Sequence, residues 1–288
     1  MLRDPAFDKL FGDAVDVLRP YLDDIICIGG CANALYRYHD LASSSAPEYL
    51  GTKDSDWALP VRLAQRTTEP LAKLMTKAGF VEQLLVSDSE PVVKYRPKGD
   101  AIAADIEFLC PLSGAPGVRK RENAAVEVQE GLMAQPLRYL EILTRNPWQV
   151  NLGLAPEFRR FKGVMVQVPN PTAYVVQKIL IRDQRRRAES RAKDCYYIYE
   201  VSVVFRDSLA ALGREYAMLQ DLPAPWLRRF KKGVRSLFRD EHAEGVTSTL
   251  DVHEDAGVGG PRLTAAIIQR AVVKMLDAMG VPQVDGQP

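Results

Sequence analysis

Histidine and cysteine are scarce in this chain, three and four residues among 288. The cysteines, Cys27, Cys31, Cys110 and Cys195, form no CxxC pair, and with so few histidines no zinc-ligand spacing arises. They read as reduced thiols. Long apolar runs are also missing: nothing approaches the roughly 18 to 20 residues a membrane helix needs, and Asp4 and Asp8 fall where a secretory leader would carry its apolar core. The expectation is a cytoplasmic protein with no membrane partner. No sign of charge dominates, since 38 Lys plus Arg stand against 37 Asp plus Glu, a net charge of +1. Global charge therefore gives no affinity for nucleic acid, and any basic surface must be local.

What is present is an ordinary globular composition, 47% hydrophobic and 26% charged, enough for one large domain or two modest ones. Apolar spacing predicts a helix over 4–19 ended by Pro20, then a short buried strand, Ile25 to Ile28, stopped by Gly29-Gly30. A helix follows through Ala32, Ala34, Leu35 and Tyr38, and a strand over Thr52 to Leu59 closed by Pro60. The pattern next gives a helix over 66–78 and strands at 80–86, 92–96, 101–109, 124–130, 137–143, 148–152 and 164–168. After Pro169 the spacing turns helical, at 171–187, 193–205, 208–219, 223–239 and 262–279. The reading is an α+β fold: a mixed sheet with flanking helices over 1–169, then a helical domain over 170–288.

The most informative segment is Thr52-Lys53-Asp54-Ser55-Asp56-Trp57. Strand side chains alternate between faces, so Asp54 and Asp56 share one face with their carboxylates a few ångströms apart. Two like charges that close repel, and a hard divalent cation such as Mg²⁺ relieves the repulsion. A pair of solvated surface aspartates at a strand end is the plain alternative. Asp105-Ile106-Glu107 repeats the alternation in a second strand, so a third carboxylate, Glu107 or Asp105, joins the cluster if the two strands are neighbours. The Ile28-Gly29-Gly30 turn opens a helix whose backbone N–H groups suit a phosphate.

In this order the motifs resemble the nucleotidyltransferase superfamily of the DNA polymerase β type: Ile28-Gly29-Gly30-Cys31-Ala32, then Asp54-Ser55-Asp56, then Glu107. More narrowly, Gly29 to Tyr36, Thr52 to Asp56 and Ile106 to Leu112 resemble bacterial nucleotidyltransferase-fold proteins related to the AbiEii and MenT toxin nucleotidyltransferases. The likeness runs from about residue 24 to residue 205. It implies a nucleotidyltransferase-fold catalytic domain using Mg²⁺, or Mn²⁺, with Asp54, Asp56 and Glu107 as metal ligands and Gly29, Gly30 and Cys31 at the phosphates of an NTP. Three positions depart from the pattern. Cys31 stands where many relatives have Ser or Thr, Ser55 replaces an apolar residue, and Glu107 replaces the usual Asp.

Downstream, Lys178 interrupts the apolar run Tyr174 to Ile181, and Lys178, Arg182 and Arg185 follow steps of four and three. A solvated face laced with ion pairs is the plain reading. The segment also resembles the family's helix-Lys motif, which implies nucleotide contact by Lys178 and Arg182, and Lys193-Asp194 resembles its Lys-Asp element, adding Asp194. Sixteen residues separate Lys178 from Asp194, which at ~100° per residue is about 160° of net rotation on one straight helix. They can share a site only if the helix breaks, and the polar stretch 185–191 is where a break is expected.

The resulting expectation is transfer of an NMP from an NTP to an acceptor hydroxyl, with pyrophosphate released. The acceptor stays open between RNA, the 3′ end of a tRNA in particular, and a protein. Local basic density at Arg182, 185–187 and 191 and at 228–239 is compatible with RNA and equally with helix solvation. The alternative is a non-catalytic nucleotide- or partner-binding module, one half of a toxin–antitoxin or defence pair with an antitoxin partner.

Overall fold

The computed structural model describes residues 5–46, 50–52, 54–87, 90–99, 104–112, 125–185, 187–257 and 262–282. The described residues divide into two compact units, one within 3–38 and 51–169 and the other within 39–50 and 170–288. The first is a mixed sheet with helices and the second is helical, together an α+β fold. Among the described residues no helix is long and apolar enough to cross a membrane.

The sheet unit opens with α1 (Pro5–Leu18), whose proline sits in the first turn, where its missing N–H is not needed. Its apolar stripe, Phe7, Leu10, Phe11, Ala14, Val15 and Leu18, is buried. Then come β1 (Ile26–Ile28), α2 (Gly29–Leu35), β2 (Asp54–Ala58), α3 (Leu71–Lys77), β3 (Phe80–Ser87), β4 (Glu90–Pro97) and β5 (Asp105–Pro111). Strands β6 (Val126–Gln129) and β7 (Leu132–Leu137), helix α4 (Leu140–Leu143), and the hairpin β8 (Trp148–Asn151) and β9 (Met165–Val168) complete it. Among the described residues the large sheet has seven strands in the order β1-β2-β5-β4-β3, with β7 on β5 and β6 on β7. Strands β2 and β5 run parallel, whereas β1 on β2 and β4 on β5 run antiparallel.

Alternation along β2 explains its composition. Ser55 and Trp57 are fully buried, and Asp54 and Asp56 face the other way, partly exposed. The Trp57 ring stacks on Phe11 with centroids 5.9 Å apart, and its indole N–H donates to Ser55 Oγ at 2.9 Å. The serine that departs from the family pattern therefore supplies the acceptor a buried tryptophan needs.

The segment over 137–143 is not the expected strand. β7 ends at Leu137, Tyr139 turns the chain in the left-handed region (φ 64°), and 140–143 coil into α4. Leu140 and Leu143, three apart, pack on Ile26, Ile28 and Ala58. A short apolar run satisfies either period, and here the helical one buries more against the sheet.

The helical unit comprises α5 (Pro171–Ile181), α6 (Ala188–Val204), α7 (Leu209–Ala217), α8 (Ala224–Leu237), α9 (Glu244–Ala256) and α10 (Ala265–Ala278). Helix α5 is capped by Asn170, whose side chain accepts the Ala173 N–H at 2.8 Å, with Pro171 in the first turn. A single cut at 169 leaves out one segment, because residues 39–50 belong to this unit. The Ser43 N–H donates to the Val204 carbonyl at 2.7 Å, Ser43 Oγ donates to Asp207 at 2.6 Å, and the Leu50 N–H donates to Glu200 at 3.3 Å. These bonds join residues far apart in the chain and leave no local pattern.

Helix α9 escapes the periodicity reading because its buried face is small and partly polar: Gly245, Val246 and Thr249. The Thr249 hydroxyl donates to the Gly245 carbonyl at 2.6 Å, and a Cβ on Gly245 would lie 2.5 Å from the Leu237 carbonyl oxygen. Helix propensity favours alanine over glycine by about 1 kcal/mol. Gly245→Ala is nonetheless expected to destabilise the protein, by about 1–3 kcal/mol, because the backbone opposite cannot yield without repacking. Equal or higher stability of the variant in denaturant unfolding would contradict this packing account.

Candidate functional site

The site grows from the register of two strands. In the parallel pair β2–β5, Asp54 lies opposite Asp105 and Asp56 opposite Glu107, so four carboxylates share one face. On the other side of β2, Ile28 pairs with Asp56, which brings the Gly29 turn to the same place. Gly29 has φ +66°, and a Cβ there would stand 2.2 Å from Asp56 Oδ2. The position thus excludes a side chain both by backbone conformation and by the closeness of the carboxylate. Gly30 and Cys31 follow in the buried first turn of α2.

Cys31 is buried, and its thiol donates to the Asp54 carbonyl oxygen at 3.4 Å. Its side chain therefore ties α2 to the start of β2. Burial first, then the neighbouring Cys27, pushes the Cys31 thiol well above the usual range. All four cysteines are free and buried, as reduced thiols in a core would be.

Among the described residues, two cations join this face. Tyr95 pairs with Ile106 across β4–β5, which places Lys94 and Arg96 beside the acidic residues of β5. Lys94 Nζ lies 2.5 Å from Glu107 Oε1, 2.9 Å from Asp105 Oδ2 and 3.8 Å from Asp54 Oδ1. Arg96 grips Asp105 with Nε on one carboxylate oxygen and Nη2 on the other, the latter at 3.1 Å. Asp105 is therefore spoken for: its side chain is 5% exposed, against 20% for Glu107 and 49% for Asp54.

The electrostatics follow from these contacts. Burial works against the Lys94 charge, yet the carboxylates of Glu107, Asp105 and Asp54 outweigh it and hold the ammonium above its ordinary value. Burial would raise the Asp105 carboxyl, but its bonds to Arg96 and Lys94 bring it below the usual range. Burial pushes the Glu107 carboxyl up, with Lys94 working against the rise. Lys94 and Arg96 are the site residues that the motif reading missed. Their signal was present, because Val92-Val93-Lys94-Tyr95-Arg96 alternates as a strand does and sets both cations on one face.

Among the described residues, no group of three or more His, Cys, Asp or Glu side chains is disposed to hold a metal ion. Of the expected trio Asp54, Asp56 and Glu107, the last has the Lys94 ammonium against it. The donors that remain still suit a hard cation. Mg²⁺ is commonly held by one or two carboxylates, with water and substrate phosphates filling its other positions. Asp54 and Asp56 are two such carboxylates, adjacent on one strand face.

Lys178, Arg182 and Asp194 lie in the helical unit, where the chain breaks as their spacing requires. Helix α5 ends at Ile181, a tight turn spans Arg182–Gln184, and Arg185 is extended before α6 begins at Ala188. The break folds Asp194 back onto Lys178, Nζ to Oδ1 2.9 Å, both side chains nearly inaccessible. Lys178 Nζ also lies 5.1 Å and 5.2 Å from the ring centroids of Tyr174 and Tyr197. Arg185 donates to the other oxygen of Asp194 at 3.1 Å. Arg182 donates to the Arg191 carbonyl at 2.9 Å and meets Glu244 at 2.5 Å. Much of the basic run thus holds the helical unit together, as do Arg229 on Asp183 and Arg235 on Asp277, each at 2.6 Å.

Two substitutions test these assignments. Gly29→Ala is expected to cost about 1–2 kcal/mol for the left-handed backbone and more as Asp56 is displaced, which denaturant unfolding would show. Lys178→Met, which strips the buried Asp194 of its closest cation, is expected to cost about 3–5 kcal/mol. A change below about 1 kcal/mol would mean that Arg185 alone suffices for Asp194.

A sequence profile described as nucleotidyltransferase matches residues 15–220, a span that includes the Gly29-Gly30 turn, the carboxylate face and the Lys178–Asp194 pair. No curated protein and no solved structure matches the chain. The profile covers more than half of the sequence, and with the glycine turn set against two parallel acidic strands, the chain belongs to this nucleotidyltransferase family.

Proposed function

We propose that the protein is a metal-dependent nucleotidyltransferase that moves an NMP from an NTP to an acceptor hydroxyl. The observation that carries this reading is the juxtaposition of Asp54 and Asp56 on β2 with Glu107 on β5, beside the Gly29 turn. In the reaction an acceptor oxygen bonds to the α-phosphorus as the bond from that phosphorus to pyrophosphate breaks, and the hydroxyl proton passes to a base. Such chemistry asks the protein mainly to position and to neutralise.

Asp54 and Asp56 are the residues that would hold Mg²⁺ or Mn²⁺, which when bound neutralises the phosphoryl oxygens and acidifies the acceptor hydroxyl. Gly29 and Gly30 are the residues that the resemblance sets at the phosphates of the NTP, beside the Asp56 carboxylate. Cys31 fixes the height of Asp54 relative to that turn through its thiol. Glu107, the third carboxylate of the face, lies opposite Asp56 on the adjoining strand with the Lys94 ammonium against it.

An RNA such as a tRNA 3′ end and a protein hydroxyl are both compatible acceptors, the first in keeping with the resemblance to toxin nucleotidyltransferases. A second reading, a nucleotide- or antitoxin-binding module without turnover, is favoured by one observation: a lysine rather than an open position stands against Glu107.

The test is pyrophosphate release from each of the four NTPs with Mg²⁺ and total cellular RNA, for wild type and for Asp54→Asn with Asp56→Asn. Release is expected in wild type and a loss of at least about 100-fold in the double variant, as removal of electrostatic stabilisation of this kind costs. Label found in RNA names that acceptor. Nucleotide binding with no release from any NTP, with RNA or with total cellular protein as acceptor, would favour the second reading.

A further inference from the structure

We propose that α8 and α10 together form a docking surface for the phosphate backbone of an RNA strand. In naming RNA as the acceptor class it rests on the nucleotidyltransferase reading, whereas the surface itself follows from charge and geometry.

Helix α8 carries Arg228, Arg229, Lys231, Lys232 and Arg235 and no carboxylate. Two of these meet acids of other elements, Arg229 with Asp183 and Arg235 with Asp277, each at 2.6 Å. Among the described residues the side chains of Arg228, Lys231 and Lys232 have no hydrogen-bond or ion-pair partner, and neither have those of Arg270 and Lys274 on α10. Four of the five are exposed and Lys231 is half-buried. They stand apart from Arg182, Arg185 and Arg191 of the same unit, which are all bonded within it.

Helical rotation gathers them. At ~100° per residue, Arg228, Lys231, Lys232 and Arg235 fall within an arc of about 100° on α8, and Arg270, Lys274 and Asp277 within about 60° on α10. The Arg235–Asp277 pair therefore joins the two cationic faces. The Gln269 amide also reaches the Arg239 carbonyl at 3.5 Å, so the helices pass each other in opposite directions. Arg228 then lies about 10 Å along α8 to one side of the pair, and Arg270 about 10 Å along α10 to the other. The result is an elongated basic stripe with one neutralised pair at its centre.

Arg228 with Lys232 and Arg270 with Lys274 are like charges four residues apart, which repel. A polyanion relieves that repulsion, and contacts from Lys and Arg to a nucleic-acid backbone need no apolar anchor. A bilayer would ask for an apolar face, but Leu227, Phe230 and Val234 of α8 and Ile268, Val272 and Met275 of α10 are buried. A protein partner would ask for aromatic or aliphatic anchors. Among the described residues of these two helices, Ile267 alone is a large apolar side chain left exposed.

Fluorescence anisotropy of a labelled single-stranded RNA of about 20 nucleotides, without NTP or metal, tests the surface apart from turnover. Wild type is expected to bind at about 50 mM salt, with log K falling against log salt at a slope of ~0.7 per phosphate contacted. Arg228→Gln with Lys231→Gln and Lys232→Gln is expected to weaken binding at least about tenfold and make the slope shallower by about 2. Arg270→Gln with Lys274→Gln should make it shallower by about 1. Lys98→Gln with Arg214→Gln, the same charge loss as that double variant at exposed positions elsewhere, should bind as wild type does. No RNA binding by wild type would overturn the proposal, and pyrophosphate release with a protein acceptor would then leave the nucleotidyltransferase reading standing. Binding as expected but with no release from any NTP would support the surface and tell against turnover. Equal loss in the control variant, or unchanged affinity and slope in both surface variants, would overturn the proposal. So would binding of phosphatidylserine vesicles in place of RNA, or tighter binding of DNA of the same sequence. Should the triple variant fail to fold, the double variant decides.

Discussion

The site depends on the pairing of β2 with β5. Parallel register sets Asp54 against Asp105 and Asp56 against Glu107, and four carboxylates on one face repel unless cations are supplied. Two come from the chain itself, on the neighbouring β4, and the salt bridges of Lys94 and Arg96 are what allow the register to hold. Truncating either side of so buried an arrangement leaves an uncompensated charge, so the acidic and basic strands are mutually dependent. The opposite face of β2 is anchored by burial instead, Trp57 against Phe11 with Ser55 accepting its N–H. A single five-residue strand thus has one face held by packing and the other by charge.

The helical unit solves a related problem with different means. Lys178 lies in a largely apolar, fully buried helix, and an isolated ammonium there would be costly. The chain breaks between 181 and 188, and Asp194 returns to Lys178 with two tyrosine rings beside it. Arginines in and just after the break then bond across it: Arg182 to the Arg191 carbonyl, Arg191 to the Arg185 carbonyl and Arg185 to Asp194. Three arginines of a run that reads in sequence equally as an RNA contact or as helix solvation thus have partners within this unit.

How much could be read in advance varied with the range of the interaction. Helix α1, strands β1, β2, β8 and β9, and the turn at Gly29 follow from local spacing and from glycine and proline, because each is fixed within a few residues. Helix α9 and the partner of residues 39–50 do not, since the first buries glycine and threonine rather than an apolar stripe and the second is held by bonds to residues more than 100 positions away. Ser55 and Cys31 read as departures from a pattern, and each has a partner that only the packed chain supplies, Trp57 for one and the Asp54 carbonyl for the other.

By itself the sequence determined the carboxylate pair on β2, the acidic strand that echoes it and the glycine turn ahead of both, because alternation and turn chemistry are properties of neighbouring residues. It also determined that Lys178 and Asp194 could meet only across a break in the helix, because helical rotation is fixed per residue. Only the tertiary structure decided which strand lies beside which, and hence that Lys94 and Arg96 stand among the carboxylates, that Asp105 is held by Arg96, and that Glu107 meets an ammonium. Strand order sums many weak contacts over the whole sheet, and no short stretch of sequence holds that sum.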